Sequence, residues 1–268
     1  MAMHEELPPP RIHPTAVVDP GAELEPGVVV GPHAVIGSRV RIGRETYVGP
    51  GVLIEGPTSI GARNRFFGHT AVGTPPQDLK YKGEETFLEI GDDNLVREFV
   101  TINRGTAGGG GRTTIGSGNL LMTGVHVAHD CHVGDGTILA NAATLAGHVL
   151  VGDGATVGAF CGVHQFCRVG RHAFIGGYSV ITRDALPYVK TVGVRGEAKG
   201  FGINTVGLER KGFSPEAVAA LKKAYRTLFL RRLKLADAIA RVREEGPLTP
   251  EVQELLEFIE TSERGIIR

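Results

Sequence analysis

Five of the ten histidines lie close together in the middle of the sequence, at His126, His129, His132, His148 and His164. A neutral imidazole can take up a proton near pH 7, because its unperturbed pKa is about 6.5. Such a side chain acts as a general base when it lies beside a hydroxyl that must lose its proton. The histidines therefore indicate an active site, and the elements that hold them decide which of them act together.

The chain around these histidines has an aliphatic residue or phenylalanine at every sixth position. The period covers residues 12–72, 90–102 and 115–181. A helix has a period of about 3.6 and a strand a period of 2, so neither explains the pattern. A period of six is typical of parallel β-helices, in which each hexad forms one short side of a coil. The sequence therefore predicts an all-β solenoid, in which small residues beside the aliphatic ones permit the corners.

Stacking of the coils predicts which polar residues meet. If three hexads form one coil, residues 18 apart lie above one another at a spacing of about 4.8 Å. His129 then lies below Gly147, and Gly147 lies below Gln165. We expect His129 to act as a general base and the Gly147 backbone N–H to hold a reacting carbonyl oxygen. Neighbouring strand residues point to opposite faces, so we expect a group other than Asp130 to orient the imidazole.

A zinc site is a competing interpretation of the histidines. Some hexapeptide β-helices are carbonic anhydrases with three histidine ligands, and nitrogens could come from His126, His129, His132 and His148. Residues three apart in one coil, however, place their side chains about 10 Å apart at the rise of a strand. We therefore predict no metal ion. A scaffold without catalytic activity is a further alternative, which the cluster of histidines at one level of the coil disfavours.

The period divides the chain into three parts. We expect an N-terminal arm at residues 1–11, the β-helix at residues 12–186 and a C-terminal helical domain at residues 187–268. Two stretches break the period, near residues 73–87 and 107–112, and such insertions usually form loops on one face of a repeat protein. The glycine run of the second stretch lacks the following Lys-Ser or Lys-Thr of a phosphate-binding P-loop.

The C-terminal part has helical rather than six-residue spacing. Ser214 before Pro215 and Thr249 before Pro250 are typical N-caps and mark two helix starts. We expect about three helices, whose apolar stripes pack against one another.

Composition and charge narrow the compartment and the partners. Three cysteines, an odd number, favour free thiols in a reducing cytoplasm. No stretch approaches the roughly 20 apolar residues of a membrane span. The net charge is zero, but residues 187–234 carry eleven basic and three acidic side chains, which predicts a surface that attracts anions. We expect neither nucleic acid nor an integral membrane segment.

Several strings of residues together resemble one enzyme family. They are Ala128-His129-Asp130-Cys131, Leu145-Ala146-Gly147-His148, Val163-His164-Gln165-Phe166, Gln77-Asp78-Leu79-Lys80-Tyr81 and the ending Arg264-Gly265-Ile266-Ile267-Arg268. The combination resembles the UDP-N-acetylglucosamine O-acyltransferases, which catalyse the first step of lipid A biosynthesis. The resemblance extends over the whole chain after the N-terminal arm.

This resemblance implies a homotrimer of left-handed β-helices with active sites between the subunits. It implies transfer of an acyl chain, commonly 3-hydroxylated, from acyl carrier protein to the glucosamine 3-hydroxyl of UDP-N-acetylglucosamine. No cofactor is implied, because the phosphopantetheine enters as part of the donor. His129 matches the family's base, and Gly147 matches its oxyanion donor. The basic segment would then meet the acidic carrier protein.

Other site residues are assigned by the resemblance alone. Those that match the sugar and acyl-phosphopantetheine site are Asp78, Lys80, His126, His148 and His164. Those near the nucleotide and diphosphate are Gln165, Asn204 and Arg210. Gly177 matches the position that limits acyl length, and its lack of a side chain implies a long acyl chain. Departures from the family's pattern at Asn103, Val206, Glu209 and Lys211 concern uracil recognition and carrier docking.

Two related activities compete with this interpretation. One is the same chemistry on a UDP-sugar with a 3-amino group, which the sequence does not distinguish. The other is the sister N-acyltransferase, which typically carries a uridine-binding domain before its hexads. Here the hexads begin at Ile12, which leaves no room for such a domain.

Overall fold

The six-residue period folds into coils with three short sides. In the computed structural model, which describes residues 7–268, each side is a strand that pairs in parallel with the coils above and below. Val127 pairs with Leu145 and Leu145 with Val163, so the register repeats every 18 residues, which confirms the predicted stacking. The β-helix is left-handed, as predicted, whereas crossovers in parallel sheets are usually right-handed.

The strands form three sheets, one for each side of the coil. The first sheet consists of Arg11–Ile12, Val29–Val30, Tyr47–Val48, Arg65–Phe66, Leu95–Val96, Leu120–Leu121, Ile138–Leu139, Thr156–Val157, Phe174–Ile175, Val189–Val192 and Lys199–Ile203. The second consists of Val17–Val18, Val35–Ile36, Leu53–Ile54, Ala71–Thr74, Thr101–Asn103, His126–Val127, Thr144–Leu145, Gly162–Val163 and Val180–Ile181. The third consists of Glu23–Leu24, Val40–Ile42, Thr58–Ile60, Phe87–Ile90, Arg112–Ile115, His132–Val133, Leu150–Val151 and Arg168–Val169.

Three corners connect these sheets. The first corner leads from the first sheet to the second, the second corner from the second sheet to the third, and the third corner back to the first sheet. At most corners the third residue after the aliphatic one has a left-handed backbone, and it is often not glycine, as at Asp130, His148 and Phe166. Glycine instead follows the aliphatic residue directly, as at Gly43, where a Cβ would lie 2.5 Å from the backbone of Gly61. Small residues there make room for the next coil.

Both insertions leave the β-helix at the second corner. Residues 75–86 connect Ala71–Thr74 to Phe87–Ile90, and residues 104–111 connect Thr101–Asn103 to Arg112–Ile115. The second insertion contains one 3₁₀ turn, Ala107–Gly109. Because the coils are stacked, the two loops lie along the same edge of the β-helix as the corner residues of the histidine-rich coils.

The sheet continues beyond residue 186, where the sequence places the boundary of the β-helix. Val189–Val192 adds a parallel strand beside Phe174–Ile175, and Lys199–Ile203 pairs with it in antiparallel orientation. The hexad period misses this hairpin because its two strands do not form sides of a coil. Helices begin at residue 205, and residues 7–268 contain four α-helices rather than about three: α1 (Thr205–Arg210), α2 (Pro215–Phe229), α3 (Leu235–Glu245) and α4 (Pro250–Glu260).

The helices form a second hydrophobic core that is attached to the last coils. The two predicted N-caps are confirmed, because Ser214 Oγ accepts from the Ala217 N–H and Thr249 Oγ1 accepts from the Val252 N–H. At the end of the chain, the Ile267 N–H donates to the Asp184 carbonyl oxygen. No helix within residues 7–268 is both long enough and apolar enough to cross a membrane.

A ladder of buried side chains follows the third corner. Thr46, Asn64, Asn94, Asn119 and Thr137 are all buried and are linked in that order by hydrogen bonds. Asn94, for example, donates its N–H and Nδ2 to Asn64 Oδ1, and its own Oδ1 accepts from the Asn119 N–H. This asparagine ladder satisfies polar atoms in the interior and ties successive coils together.

Candidate active site

His129 lies at the second corner, where the next residue in the chain holds its imidazole. Its Nδ1 is 2.8 Å from Asp130 Oδ2. The expectation that Asp130 points away was wrong, because the chain is no longer a strand at this point. Asp130 has a φ of 58°, and this left-handed turn brings the two neighbouring side chains together.

The Asp130 carboxylate is fully buried and has several hydrogen-bond donors around it. The Thr106 N–H donates to Oδ1 at 2.8 Å, and the Thr106 hydroxyl donates to Oδ2 at 2.6 Å. The Asp130 N–H donates to Thr113 Oγ1. A carboxylate oxygen accepts hydrogen bonds, so this contact favours the His129 tautomer with its proton on Nδ1 and its lone pair on Nε2. This tautomer is the one that a general base requires.

Gly147 lies directly above His129, as the stacking predicts. The His148 N–H donates to the His129 carbonyl oxygen, and a Cβ on Gly147 would lie 2.6 Å from the imidazole Cε1. The missing side chain therefore makes room for the ring. Within residues 7–268 the Gly147 N–H donates to no acceptor, which leaves it available to an oxygen atom of a substrate.

Two further histidines flank this pair. His148 meets His129 edge to face with ring centroids 5.2 Å apart, and it stacks on Phe166 at 4.3 Å. Burial lowers the pKa of His148, although the Asp130 charge acts in the opposite direction. Burial also lowers the pKa of His126, whose Nδ1 is 2.7 Å from Thr101 Oγ1. Both rings are therefore neutral at pH 7 and can donate or accept a hydrogen bond without adding charge.

His126, His129, His132 and His148, the four histidines considered as zinc ligands, do not converge on one point within residues 7–268. His132 Nδ1 is 2.8 Å from Thr114 Oγ1, and His126 bonds to a threonine of its own sheet. His129, Asp130 and His148 each offer one atom within 4.8 Å of the others. The spacing argument overlooked His148 because it compared residues of one coil, whereas His148 comes from the next. The Asp130 carboxylate is already occupied by Thr106 and His129, and the absence of a metal stays a prediction.

A cleft of about 410 Å³ opens beside Asp130 and His148 and reaches the C-terminal residues. Phe166, Arg168 and Arg264 are part of its wall. The Arg264 Nη2 is 3.3 Å from Nδ1 of His164, which brings that predicted site residue to the same edge.

The first insertion contributes to the second corner as well. Burial lowers the pKa of His148, and Asp78 lies near enough to that ring for its charge to oppose part of this effect. The Lys80 N–H donates to Asp78 Oδ1, and the Lys80 side chain is exposed. Gln165 is exposed at the same corner, one coil above Gly147. Six of the predicted site residues other than the pair His129 and Gly147 thus lie at or beside the second corner: Asp78, Lys80, His126, His148, His164 and Gln165.

The remaining predicted residues lie at the other two corners. Asn204 Nδ2 lies 3.5 Å from the His172 carbonyl oxygen, and the neighbour of Arg210, Lys211, donates to the Gly154 carbonyl oxygen. His172 and Gly154 belong to the third corner. Gly177 is exposed at the first corner, next to the stacked rings of Phe160 and Tyr178. One chain therefore does not bring Asn204, Arg210 or Gly177 to the corner that holds His129.

Sequence reasoning missed Asp130 and Thr106. The only signal for Thr106 was its place in the second insertion, which breaks the period just before the histidine-rich coils.

Comparison with known proteins points to one group of enzymes. Residues 184–267 match the family described as UDP N-acetylglucosamine O-acyltransferase, domain 2, and residues 9–44, 112–147 and 148–183 match the bacterial transferase hexapeptide family. The chain is 51% identical over 259 residues to the acyl-[acyl-carrier-protein]–UDP-N-acetylglucosamine O-acyltransferase of Xanthomonas oryzae pv. oryzae, covering 97% of this chain and 98% of that protein. The counterpart in Stenotrophomonas maltophilia is equally similar.

Solved structures agree with these sequence matches. The UDP-N-acetylglucosamine O-acyltransferase of Moraxella catarrhalis has a TM-score of 0.92 and 42% identity, covering 96% of this chain and 99% of that one. A structure from Acinetobacter baumannii has a TM-score of 0.91 and 45% identity with the same coverage.

Proposed function

Because the chain belongs to the UDP-N-acetylglucosamine O-acyltransferase family, we propose a mechanism in which its own second-corner residues carry the reaction. The enzyme transfers an acyl chain from acyl carrier protein to UDP-N-acetylglucosamine, the first step of lipid A biosynthesis. The proposal concerns the residues, the acceptor atom and the assembly. It depends above all on the 2.8 Å contact between His129 and Asp130 directly below Gly147.

In the proposed mechanism, Nε2 of His129 removes the proton from the glucosamine 3-hydroxyl as its oxygen attacks the thioester carbon. Asp130 holds the Nδ1 proton and stabilises the imidazolium that forms. The carbonyl oxygen becomes an oxyanion, which the Gly147 N–H stabilises. Collapse of the tetrahedral intermediate breaks the carbon–sulfur bond, and the imidazolium returns its proton to the departing thiolate of the phosphopantetheine.

Neighbouring residues would position the two substrates. Asp78, Lys80, His126, His148 and His164 would line the sugar and acyl-phosphopantetheine site. A neutral His148 beside the base supports this role, because it can hydrogen-bond to a sugar hydroxyl without competing for the proton.

We further propose that the active site is completed in a homotrimer. Gln165 would contact the nucleotide from the second corner, which also holds His129. Asn204 and Arg210 would contact it from the third corner. In one chain these corners are different edges of the coil, so threefold association would bring them together between subunits. Exposed stacked rings, Phe160 on Tyr178, support a buried contact along the first corner.

The acyl chain would extend toward the exposed Gly177. A Cβ at this position would meet only backbone atoms of Ala159, the nearest at 3.3 Å, and glycine adds no side chain to the exposed surface there. We therefore propose a long acyl chain, of the kind that is commonly 3-hydroxylated in the family, with or without that hydroxyl, and no resident cofactor. A cytoplasmic location fits the three buried free cysteines.

Acyl carrier protein would dock on the basic C-terminal surface. Three of the eleven basic residues in segment 187–234 are engaged within the chain. Lys211 donates to the Gly154 carbonyl oxygen, Lys223 donates to that of Glu245, and Arg231 pairs with the Glu245 carboxylate. Lys222 and Arg226 are exposed instead, beside a groove of about 440 Å³. Their charge would mainly raise the association rate with an acidic partner.

The test of the mechanism is acyl transfer to UDP-N-acetylglucosamine from carrier-protein thioesters of several chain lengths, with His129→Ala as the comparison. We expect the variant to lose about 10²–10⁴-fold in kcat with its fold intact by circular dichroism. The preferred chain length tests Gly177. Retained activity in His129→Ala would overturn the assigned base, and a preference for the 3-amino analogue would change the acceptor.

Docking has a separate test. Lys222→Glu and Arg226→Glu should raise the KM for acyl carrier protein at low salt, with a smaller effect at high salt. Lys211→Glu removes an internal hydrogen bond and serves as the contrast, because its effect should not depend on salt in the same way. An effect of Lys222→Glu that is independent of salt would contradict electrostatic docking.

A further inference from the structure

The glycine loop, residues 105–111, closes over the buried partner of the catalytic base. Thr106 donates both its N–H and its hydroxyl to the Asp130 carboxylate, one to each oxygen. The Thr106 carbonyl oxygen in turn accepts from the N–H groups of Gly109 and Gly111. The loop thus fixes the Thr106 carbonyl group, while the N–H and hydroxyl of Thr106 hold the Asp130 carboxylate.

Gly109 brings the loop into direct contact with the same carboxylate. A Cβ at this position would lie 2.1 Å from Asp130 Cγ, a distance that no real side chain can occupy. Its backbone is not in the left-handed region, so the need for glycine here comes from the close approach alone. The neighbouring Gly108 has nothing within 4 Å of the corresponding point. A Cβ would therefore meet Asp130 at Gly109 but not at the neighbouring Gly108.

Asp130 Oδ2 receives two short hydrogen bonds, one from the Thr106 hydroxyl at 2.6 Å and one from His129 Nδ1 at 2.8 Å. The first bond determines where the oxygen lies, and the second transmits that position to the imidazole. Because the side chain of Asp130 is fully buried, water cannot replace the threonine hydroxyl without opening the loop.

We propose that Thr106 is a positioning residue for the catalytic base and that the glycine loop exists to hold Asp130 in place and shield it from water. This inference rests on the proposed role of His129. The loop acts through Asp130 on the orientation of His129 and does not touch the substrate. It gives a role to the second insertion, which the hexad pattern marks as an irregularity.

The first experiment replaces the hydroxyl without changing the shape of the side chain. Thr106→Val keeps the backbone N–H bond but removes the bond to Oδ2, and kcat should fall about 10- to 100-fold. The KM for UDP-N-acetylglucosamine should stay within about twofold. Thr106→Ser restores the hydroxyl and should recover most of kcat. A loss in Thr106→Ser as large as in Thr106→Val would overturn the proposal.

A matched pair in the glycine run gives an independent test. Gly109→Ala pushes the loop away from Asp130, so kcat should fall by at least tenfold, whereas Gly108→Ala should behave like the wild type. Equal activities of the two variants would contradict shielding by the loop. This pair also remains informative if Thr106→Val fails to fold.

A double-mutant cycle separates positioning from general damage to the structure. In an Asp130→Asn background the hydroxyl of Thr106 has no carboxylate to hold, so Thr106→Val should lower kcat little further. Fully multiplicative losses would show that Thr106 acts by another route and would overturn the inference. His129→Ala separates the failure of this inference from the failure of the proposed base. If His129→Ala is inactive while Thr106→Val has wild-type kcat, the role of the loop is wrong and the assignment of His129 as the base stands.

Discussion

Two rows of hydrogen-bonded polar side chains, referred to below as chains, follow different corners of the same β-helix. They differ in where they end. The asparagine ladder at the third corner runs from Thr46 to Thr137 inside the coils. The chain at the second corner runs from Thr106 through Asp130 to His129. The first is enclosed along its length, whereas the second finishes at an imidazole with one nitrogen free for chemistry.

The comparison illustrates how one repeat architecture can hold coils together at one corner and orient the proposed base at another. In each chain, stacking of coils places polar groups at hydrogen-bond distance with little freedom to move. In the ladder this rigidity only holds coils together. At the second corner it would fix the tautomer and direction of the proposed base in advance, which would remove reorganisation from the reaction.

The largest expected effect comes from breaking the catalytic chain at its middle. Asp130→Asn keeps the shape of the side chain but leaves a single acceptor oxygen and a competing donor, so the tautomer of His129 is no longer fixed. We expect kcat to fall about 10²–10⁴-fold with little change in thermal stability. Steady-state kinetics measure kcat, and a melting curve measures thermal stability. A loss of kcat below threefold would contradict the proposed role of Asp130 in orienting His129.

The next effect comes from filling the space above the base. In Gly147→Ala the new methyl group would lie against the imidazole and displace it, and kcat should fall about 10²-fold. Gly162→Ala is the control. Gly162 lies in the second sheet, and nothing lies within 4 Å of its Cβ position. Comparable activity in the two variants would show that the contact between Gly147 and His129 does not matter.

Breaking the asparagine ladder should lower the stability of the fold and leave kcat unchanged, the reverse of the effect expected at Asp130. Asn94→Leu leaves Asn64 Oδ1 and the Asn119 N–H with fewer partners in the interior, which should cost about 2–4 kcal/mol of unfolding free energy. The melting temperature should fall by about 4–16 °C while kcat of the folded enzyme is retained. Asn141→Leu, at an exposed position, is the matched control. A large loss of kcat in Asn94→Leu would remove the distinction between the two chains.

The smallest effect concerns a polar atom that belongs to neither chain. Nδ1 of His172 is buried without a hydrogen-bond partner in the part of the chain that the structure describes. Burial, together with the nearby charges of Lys211 and Arg171, lowers the pKa of His172 to about 4, although the Asp153 charge acts in the opposite direction. Between about pH 6.5 and pH 4 the unfolded chain therefore binds a proton that the folded chain does not, and stability falls as the pH falls.

His172→Asn should remove this contribution. Its melting temperature should decrease less between about pH 7 and pH 4.5 than that of the wild type. His33→Asn, an exposed histidine in the same left-handed corner position, is the control. Parallel pH curves for His172→Asn and the wild type would exclude His172 as the group that titrates.

The sequence predicts the coil far better than it predicts the corners. The period of six determines the strands and their register, and therefore the pair His129 and Gly147. It does not reveal the left-handed turn at Asp130, because many residue types occupy that position. Alternation of side chains along a strand was the wrong rule there, and so Asp130 was missed as the partner of His129.

Residues outside the period were harder to place. Thr106 reaches Asp130 only through the fold of an insertion, whose shape no repeat determines. The hairpin at residues 189–203 has no helical or six-residue spacing and was included in the helical domain. Asn204 and Gly177 matched the family's motifs, but only the structure shows that they lie at corners away from His129.

The same hairpin has a consequence for how the solenoid ends. Every coil offers its upper edge to a parallel strand, and an unprotected edge of this kind can recruit a further chain and grow into a fibre. Here the last strand of the first sheet, Lys199–Ile203, runs antiparallel to its neighbour and begins with a lysine. A second solenoid therefore cannot extend the first sheet by one more parallel strand, and the reversal of a single strand ends the coil pattern at that edge.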